Sequence, residues 1–241
     1  MNFFTYLSDL MFPPKCIYCS EVLKPATRPL ICERCMDEVP AIQTPCAKCG
    51  GALLYRDARP FCPTCHAAGR HFDGVVCSAR YDGKMREAVL KYKYSYQSYL
   101  AKPLSYFLIK DLKEIGISRS NMDCVVSVPC DMVRESQRGF DHAGLLGKEI
   151  SAALRIPYVK NKVEKIKPTK SQTKLSSAKR AENIRGAYKI SDKDFFKGKA
   201  VLLADDIFTT GATAMELSRI LKRAGAAYVF VAAVAKTVRK F

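Results

Sequence analysis

Apolar and polar positions alternate from residue 72 onward in a way that predicts strands and helices in turn. Short apolar runs bounded by turn signals predict buried strands, which cover residues 74–81, 123–129, 156–163, 199–206 and 228–235. Apolar residues at helical spacing predict helices between them, which cover residues 84–94, 100–115, 141–154 and 213–224. Strands that alternate with helices predict an α/β fold, a right-handed, doubly wound parallel sheet flanked by helices.

The first 71 residues show a different pattern and predict a separate N-terminal unit. Apolar side chains at helical spacing predict a short helix over residues 3–11, with its apolar stripe packed on a neighbouring element. The stretch after it is rich in Pro, Gly and Cys and has little apolar periodicity. We therefore place a domain boundary near residue 71, with an N-terminal helix and cysteine-rich unit over 1–71 and an α/β domain over 72–241.

The cysteine-rich unit contains two copies of the pattern Cys-x-x-Cys, twelve residues, Cys-x-x-Cys. Two such knuckles at this separation can complete tetrahedral thiolate coordination. The spacing predicts two structural zinc ions in a double zinc ribbon, the first held by Cys16, Cys19, Cys32 and Cys35 and the second by Cys46, Cys49, Cys62 and Cys65. Interleaved pairing of the knuckles, iron–sulfur ligation and disulfides remain alternatives.

Composition narrows the class of protein. With 241 residues and 48% hydrophobic side chains, the chain can bury a core, which excludes a disordered protein. The N-terminus has no basic n-region or small-residue cleavage site, and no apolar run reaches membrane-spanning length. We expect a cytoplasmic protein without a membrane span, and a reducing compartment favours metal thiolates over disulfides.

Charge is distributed unevenly along the chain, whose formal net charge is +17. Residues 72–241 carry 32 basic against 17 acidic side chains, and residues 1–71 carry 8 against 6. The charge of residues 72–241 therefore predicts an anionic partner. Within it, lysine and tyrosine alternate, and single-stranded nucleic acid stacks its bases on aromatic rings beside basic side chains. The candidates for such contacts are Lys91, Tyr92, Lys93 and Tyr94; alternatively, Tyr92, Tyr96 and Tyr99 pack inward at helical spacing.

Residues 201–213 combine an apolar run, two acids and a small-residue turn before a predicted helix. Backbone N–H groups at a helix N-terminus suit a phosphate, and adjacent carboxylates can accept hydrogen bonds from vicinal hydroxyls. A ribose 5-phosphate fits both. The stretch resembles the 5-phosphoribosyl-1-pyrophosphate (PRPP) motif of type I phosphoribosyltransferases, which implies PRPP binding with Mg²⁺ by Asp205, Asp206, Thr209, Thr210, Gly211, Ala212 and Thr213.

Two other basic segments are candidates for the pyrophosphate and for catalysis. Arg134 and Arg138 follow the strand over 123–129, where they can grip pyrophosphate bidentately. Residues 160–185 carry nine basic and two acidic side chains. In type I phosphoribosyltransferases a flexible loop closes over PRPP and excludes water, which is our first interpretation of this segment. A solvated tether is the alternative.

The double ribbon, the basic loop and the PRPP motif together resemble the ComF family over nearly the whole chain. The loop carries that family's spacing at Thr169, Gln172 and Leu175, then Arg180 and Asn183, then Gly186-Ala187-Tyr188. The resemblance makes Thr169, Gln172, Arg180 and Asn183 closing-loop candidates and adds Lys165 and Lys167 to the pyrophosphate candidates. No residue is assigned a catalytic role.

The ComF resemblance implies a part in natural transformation, in which the protein handles incoming single-stranded DNA beside a ComFA-like helicase and binds PRPP. One alternative is an active phosphoribosyltransferase that transfers phosphoribosyl from PRPP to a nucleobase or amine. Another is a zinc-ribbon adaptor with a degenerate nucleotide fold. The sequence names no acceptor for a transfer reaction.

Overall fold

The structure is a computed structural model. It describes residues 3–25, 29–42, 45–46, 49–51, 62, 70–130, 136, 139–169 and 182–237, with only the backbone of residues 3–6.

Five parallel strands form the main sheet, in the order β1-β7-β6-β2-β3. Their bounds are Gly74–Arg80 for β1, Cys124–Ser127 for β2, Tyr158–Val159 for β3, Ala200–Phe208 for β6 and Tyr228–Lys236 for β7. The central strands are apolar on both faces because helices cover both sides of the sheet. The predicted α/β fold is confirmed, but the strand predicted to end at Asp206 continues to Phe208, so the acidic pair lies within β6.

The sheet divides the core into two layers, and helices cover each of them. The helices of the described residues are α1 Phe3–Met11, α2 Glu33–Glu38, α3 Gly83–Tyr94, α4 Ala101–Glu114, α5 His142–Leu154 and α6 Ala212–Arg223, with short 3₁₀ turns at Ser98–Leu100 and Asp194–Phe196. Helices α3, α4 and α5 pack with Leu202 and Val234 on one face of the sheet, whereas α6 packs with Leu203 and Val231 on the other.

The sheet has a switch point between β2 and β6, which are hydrogen-bonded neighbours. From β2 the chain passes through α5 to β3, on one side, and from β6 it passes through α6 to β7, on the other side. Ligands of open α/β sheets bind in the crevice at the carboxyl ends of the strands where the connections diverge. The acidic pair lies near the carboxyl end of β6, and the Thr-Gly loop follows that strand at this crevice.

One predicted strand is wrong. Residues 156–163 form two separate elements, because Asn161 adopts a left-handed conformation with φ 64° and turns the chain away from the main sheet. Beyond the turn, β4 (Val163–Lys165) pairs antiparallel with β5 (Tyr188–Ile190), where Lys165 lies opposite Tyr188. The basic segment between them therefore begins and ends at paired strands.

The cysteine-rich unit packs on the α/β domain. Ile17, Tyr18 and Ile31 are buried in the same core layer as α3, and an antiparallel bridge joins Ala41 to Ala79 of β1. The low apolar periodicity of this unit predicts that zinc ions take the place of a core. The structure differs in that this part of the ribbon also shares the core of the larger domain.

Helix α1 forms over the residues predicted, but its expected packing is wrong. Leu7, Leu10 and Met11 are exposed to 49%, 55% and 74%, so the described residues leave most of its apolar stripe uncovered. Within the described part of the chain, no helix is long and apolar enough to cross a membrane.

Candidate functional site

Two adjacent carboxylates in β6 form the acidic end of the candidate site. Alternation along the strand directs Asp205 and Asp206 to opposite faces of the sheet. Asp206 forms an ion pair with Lys93 of α3, with 2.8 Å between Nζ and Oδ2 and side-chain exposures of 15% and 14%. The backbone N–H of Asp206 donates to Oδ1 of Asp205 at 2.8 Å. The tip of β6 thus holds two carboxyl groups in different environments.

Asp205 has an unusually high pKa for a carboxyl group. Burial and, to a smaller extent, the neighbouring Asp206 carboxylate together raise the pKa to about 8, although Lys93 opposes the shift. At neutral pH, Asp205 therefore favours its protonated form beside the carboxyl group of Asp206. Such a pair can donate one hydrogen bond as well as accept several, which suits the hydroxyls of a vicinal diol.

The loop after β6 turns directly into the N-terminus of α6. Gly211 caps the helix in a left-handed conformation, with φ 78°. A Cβ at this position would lie 2.5 Å from the ring of Phe208, so a larger residue does not fit. Gly211 has no side chain to cap the helix, and the N-terminal end of a helix favours an anion.

Thr210 adds a hydroxyl to this loop. Its Oγ1 is buried and has no hydrogen-bond partner among the described residues. The other loop candidates, Thr209, Ala212 and Thr213, are partly buried at the same turn. The structure therefore brings all seven predicted PRPP-binding residues to the end of β6 and the start of α6.

Lys93 is held in place by contacts between α3 and α5. The hydroxyl of Tyr92 donates to the carbonyl of His142 at 2.8 Å, and His142 Nε2 lies 3.1 Å from the carbonyl of Tyr92. Phe140 packs on both rings, with centroid distances of 5.3 Å and 4.5 Å. The sequence predicts Lys93 only as a nucleic-acid candidate and gives no sign of its contact with Asp206, because no local pattern links two residues so far apart.

The tyrosines of the Lys-Tyr run differ from both interpretations of the sequence. Tyr92 is fully buried, which the inward-packing alternative predicts, so its place among the base-stacking candidates is wrong. Tyr96 and Tyr99, which the alternative places inside, are 68% and 59% exposed, and Tyr94 is 64% exposed. The reason is that α3 ends at Tyr94, so helical spacing does not continue to the later tyrosines.

The closing-loop and pyrophosphate candidates are only partly described. Lys165 Nζ donates to Thr169 Oγ1 at 2.8 Å, and Thr169 is buried, whereas Lys167 is exposed. Asn183 is partly buried beside the buried Ile184. At the returning end, the N–H of Gly186 donates to Oε1 of Glu216 in α6 at 2.9 Å. The candidates that lie outside the described residues are Arg134, Arg138, Gln172 and Arg180.

Two groups of thiols form the candidate metal centres. The Sγ atoms of the first group lie within 4.8 Å of one another, and so do those of the second; the groups are Cys16, Cys19, Cys32, Cys35 and Cys46, Cys49, Cys62. Cys65 lies outside the described residues. This grouping is sequential, the first of the two pairings that the spacing allows.

The thiol groups fit zinc by their chemistry and by their surroundings. Four convergent thiols, which the first group shows, are the donor set of structural zinc, and the second group shows three of its four predicted ligands. In each group the first cysteine accepts a backbone hydrogen bond from the third, Cys32 N to Cys16 Sγ at 3.4 Å and Cys62 N to Cys46 Sγ at 3.2 Å. Bonds of this kind orient thiolate ligands. A fourfold thiolate site has no open position, so zinc here would supply folding energy.

Comparison with known proteins identifies relatives of the whole chain and of its N-terminal part. Residues 7–66 match the family model described as a double zinc ribbon domain. Competence protein F of Haemophilus influenzae is 28% identical over 229 residues, which cover 93% of this chain and 94% of that protein. DNA utilization protein YhgH of Escherichia coli K12 is 27% identical over 212 residues, which cover 86% of this chain and 91% of that protein.

Among solved structures, the glutamine PRPP amidotransferase of B. subtilis matches with a TM-score of 0.36 and 20% identity. The match covers 59% of this chain and 30% of that enzyme.

Proposed function

We propose that this chain, which resembles the ComF family in its double zinc ribbon and in its full-length similarity to Competence protein F, is a DNA-handling competence protein that binds PRPP. In this proposal the phosphoribosyl site lies at the end of β6, single-stranded DNA binds the basic α/β domain, and the ribbons are structural. A cytoplasmic location and a ComFA-like helicase partner belong to the same proposal. So does the division into units 1–71 and 72–241.

The observation that carries the PRPP part is the loop at the switch point of the sheet. Its glycine cap lets the chain turn directly into the N-terminus of α6, where the positive end of the helix dipole favours an anion. Thr210 contributes a buried hydroxyl that lacks a partner among the described residues, at a cost of about 1–3 kcal/mol that a phosphate oxygen can relieve. These features support a phosphate at the loop that follows β6.

The acidic pair supports the ribose part of the ligand. Asp206 would accept hydrogen bonds from the ribose hydroxyls while Lys93 balances its charge, and Asp205 would accept or donate according to its protonation. Mg²⁺ would accompany PRPP and neutralise part of the pyrophosphate charge. The base of the basic loop, at Lys165 and Tyr188, connects through Gly186 to Glu216 of α6, which supports closure of that loop over the same site.

Calorimetric titration of the full chain with PRPP and Mg²⁺ tests the site directly. Gly211→Ala places a Cβ against Phe208 and imposes backbone strain, so we expect PRPP affinity to fall at least about tenfold. Gly116→Ala is the matched control, because Gly116 has a similar φ of 80° but nothing within 4 Å of an added Cβ. We expect it to bind PRPP as the wild type does.

Two outcomes of this titration would overturn the PRPP proposal. One is absence of heat with PRPP in the wild type, which would favour the zinc-ribbon adaptor. The other is equal affinity in the wild type and Gly211→Ala. Release of pyrophosphate in the presence of bases or ammonia would add turnover to binding and favour an active phosphoribosyltransferase.

Single-stranded DNA binding is tested separately by a salt series. The surplus of 32 basic over 17 acidic side chains in residues 72–241 supports contacts to phosphates. We expect log affinity to fall linearly with log salt concentration, because bound lysines and arginines release counterions from the strand. Failure to bind at low salt would remove the DNA part of the proposal and leave the PRPP part standing.

A further inference from the structure

Three exposed tyrosines stand together in the chain just after the buried Tyr92. Tyr94, Tyr96 and Tyr99 are exposed to 64%, 68% and 59%. We call these three residues the tyrosine surface. Large aromatic side chains are normally much more buried than this in a folded domain.

Tyr96 is built into an unusual backbone position. Its φ is 56°, a left-handed conformation that bulky residues rarely adopt. Its ring lies so close to Gly139 that a Cβ there would be 3.0 Å from the ring, and Gly139 itself has a φ of 79°. The backbone of Gly139 therefore supports one part of the ring while most of the side chain remains open to solvent.

The charge around the tyrosine surface has one sign along the chain. Residues 88–110 contain four lysines and no acidic residue. Lys91 is partly buried, and Lys102 is exposed at the start of α4. Protein–protein interfaces are depleted in lysine at their centres, whereas single-stranded nucleic acid is bound by aromatic rings that alternate with basic side chains. The chemistry favours a single strand over a protein partner.

The tyrosine surface also adjoins the candidate phosphoribosyl site. Lys93 reaches Asp206 at the carboxyl end of β6, and Tyr94 is the next residue on α3. Gly139, against which Tyr96 packs, lies just before α5, whose preceding loop leaves the carboxyl end of β2. Bases stacked on these rings would therefore lie along the mouth of the crevice.

We propose that Tyr94, Tyr96 and Tyr99 stack the bases of single-stranded DNA and that the strand runs along the edge of the phosphoribosyl site. This inference rests on the proposed binding of single-stranded DNA and names the surface that performs it. Tyr92 takes no part, because its ring is closed off by Phe140 and His142.

Fluorescence anisotropy with a labelled thymidine oligomer measures the contribution of each ring. We expect Tyr94→Ala, Tyr96→Ala and Tyr99→Ala each to weaken binding by about 5- to 150-fold, the range seen for loss of one base–aromatic stack. The corresponding Phe variants keep the ring and should bind within about twofold of the wild type. The slope of log affinity against log salt should not change in any of them, because no phosphate contact is removed.

Tyr228→Ala is the matched control. Tyr228 is also exposed, at 38%, and lies near a lysine, with Lys222 Nζ 6.0 Å from its ring centre. It stands at the amino end of β7, opposite the carboxyl end where Asp206 lies. We expect this variant to bind DNA as the wild type does. PRPP titration of Tyr99→Ala checks that the fold and the neighbouring site are intact.

The outcomes separate the inference from the proposed function. If the wild type binds DNA and all three Ala variants bind equally well, the inference is wrong and the proposed function stands. If the Phe variants lose as much affinity as the Ala variants, stacking is wrong. If the wild type binds no DNA at low salt, the inference and the DNA part of the proposed function both fail. If the wild type binds DNA, the Ala variants lose affinity and the Phe variants keep it, the result supports the inference and the DNA part of the proposed function.

Discussion

Asp205 and Asp206 are neighbours in the sequence but differ in their electrostatic surroundings. Asp206 faces Lys93 at 2.8 Å, which stabilises its charged form. For Asp205, burial outweighs the attraction of Lys93 and raises the pKa to about 8. At the residue scale, the two carboxyl groups therefore differ in their affinity for a proton. Because Asp205 titrates near neutral pH, its ability to donate or accept a hydrogen bond changes there.

The raised pKa of Asp205 predicts a specific pH dependence of stability. Between about pH 4 and pH 8 the folded protein keeps a proton on Asp205 that the unfolded chain releases, so this group makes the free energy of unfolding fall as pH rises. Asp205→Asn keeps the side chain neutral and removes this loss. We expect the difference in the free energy of unfolding between the variant and the wild type to increase by at least about 1 kcal/mol from pH 5 to pH 8.

Urea unfolding of both proteins at the two pH values measures the difference. Asp194→Asn, at an exposed aspartate in a 3₁₀ turn, is the control and should change little. A gain for Asp205→Asn that is larger at pH 5 than at pH 8 would contradict the assignment.

At the element scale, helix α3 serves both candidate sites. It directs Lys93 toward the acidic tip of β6 and ends one residue later at the exposed Tyr94. The hydrogen bond from Tyr92 to the carbonyl of His142 fixes this end of α3 to the first turn of α5. The position of Lys93 thus depends on a contact between two helices rather than on the loop that binds the ligand.

Removal of the Tyr92 hydroxyl should weaken the junction between these helices. Tyr92→Phe removes a buried hydrogen bond to the carbonyl of His142, so we expect a loss of about 0.5–1.5 kcal/mol in the free energy of unfolding. Tyr99→Phe makes the same chemical change where the hydroxyl bonds to Gln97 at an exposed site, and should cost less than about 0.5 kcal/mol. Denaturant titration compares the two. Equal losses would contradict the prediction that the buried hydrogen bond contributes more to stability than the exposed one.

The elements that the sequence predicts well are those with strong local patterns. Strand β6 and helix α6 are recognisable because a buried run and an amphipathic helix meet at a turn with a fixed chemistry. The break at Asn161 cannot be recognised in the sequence, because asparagine adopts a left-handed backbone conformation only in some contexts. The contact between Lys93 and Asp206 depends on how α3 packs against the sheet, which no local pattern records.

At the scale of the whole molecule, the two halves of the ribbon differ in their attachment. Ile17, Tyr18 and Leu23 from the first half are buried in the core layer of α3 and α5. Cys46 and Cys49 from the second half form a small cluster of their own with Cys62. Loss of the first zinc ion should therefore disturb the α/β domain more than loss of the second.

Serine substitutions test this asymmetry. We expect Cys16→Ser and Cys46→Ser each to lower zinc content from about two to about one ion per chain, with a larger fall in melting temperature for Cys16→Ser. Cys130→Ser, at a cysteine outside both groups, should keep both ions. Metal analysis and thermal unfolding give the two readouts. Loss of both ions from either single variant, or equal melting temperatures, would contradict the prediction.

The bridge between Ala41 and Ala79 has a further consequence. Strand β1 is the outermost strand of the sheet, and the N–H of Arg80 donates to the carbonyl of Pro40 at 2.7 Å, so the ribbon covers part of an otherwise unpaired border. Open borders of this kind invite intermolecular strand pairing and aggregation. Removal of zinc by a chelator would thus make the protein prone to self-association. Bound zinc would then maintain solubility as well as stabilise the fold.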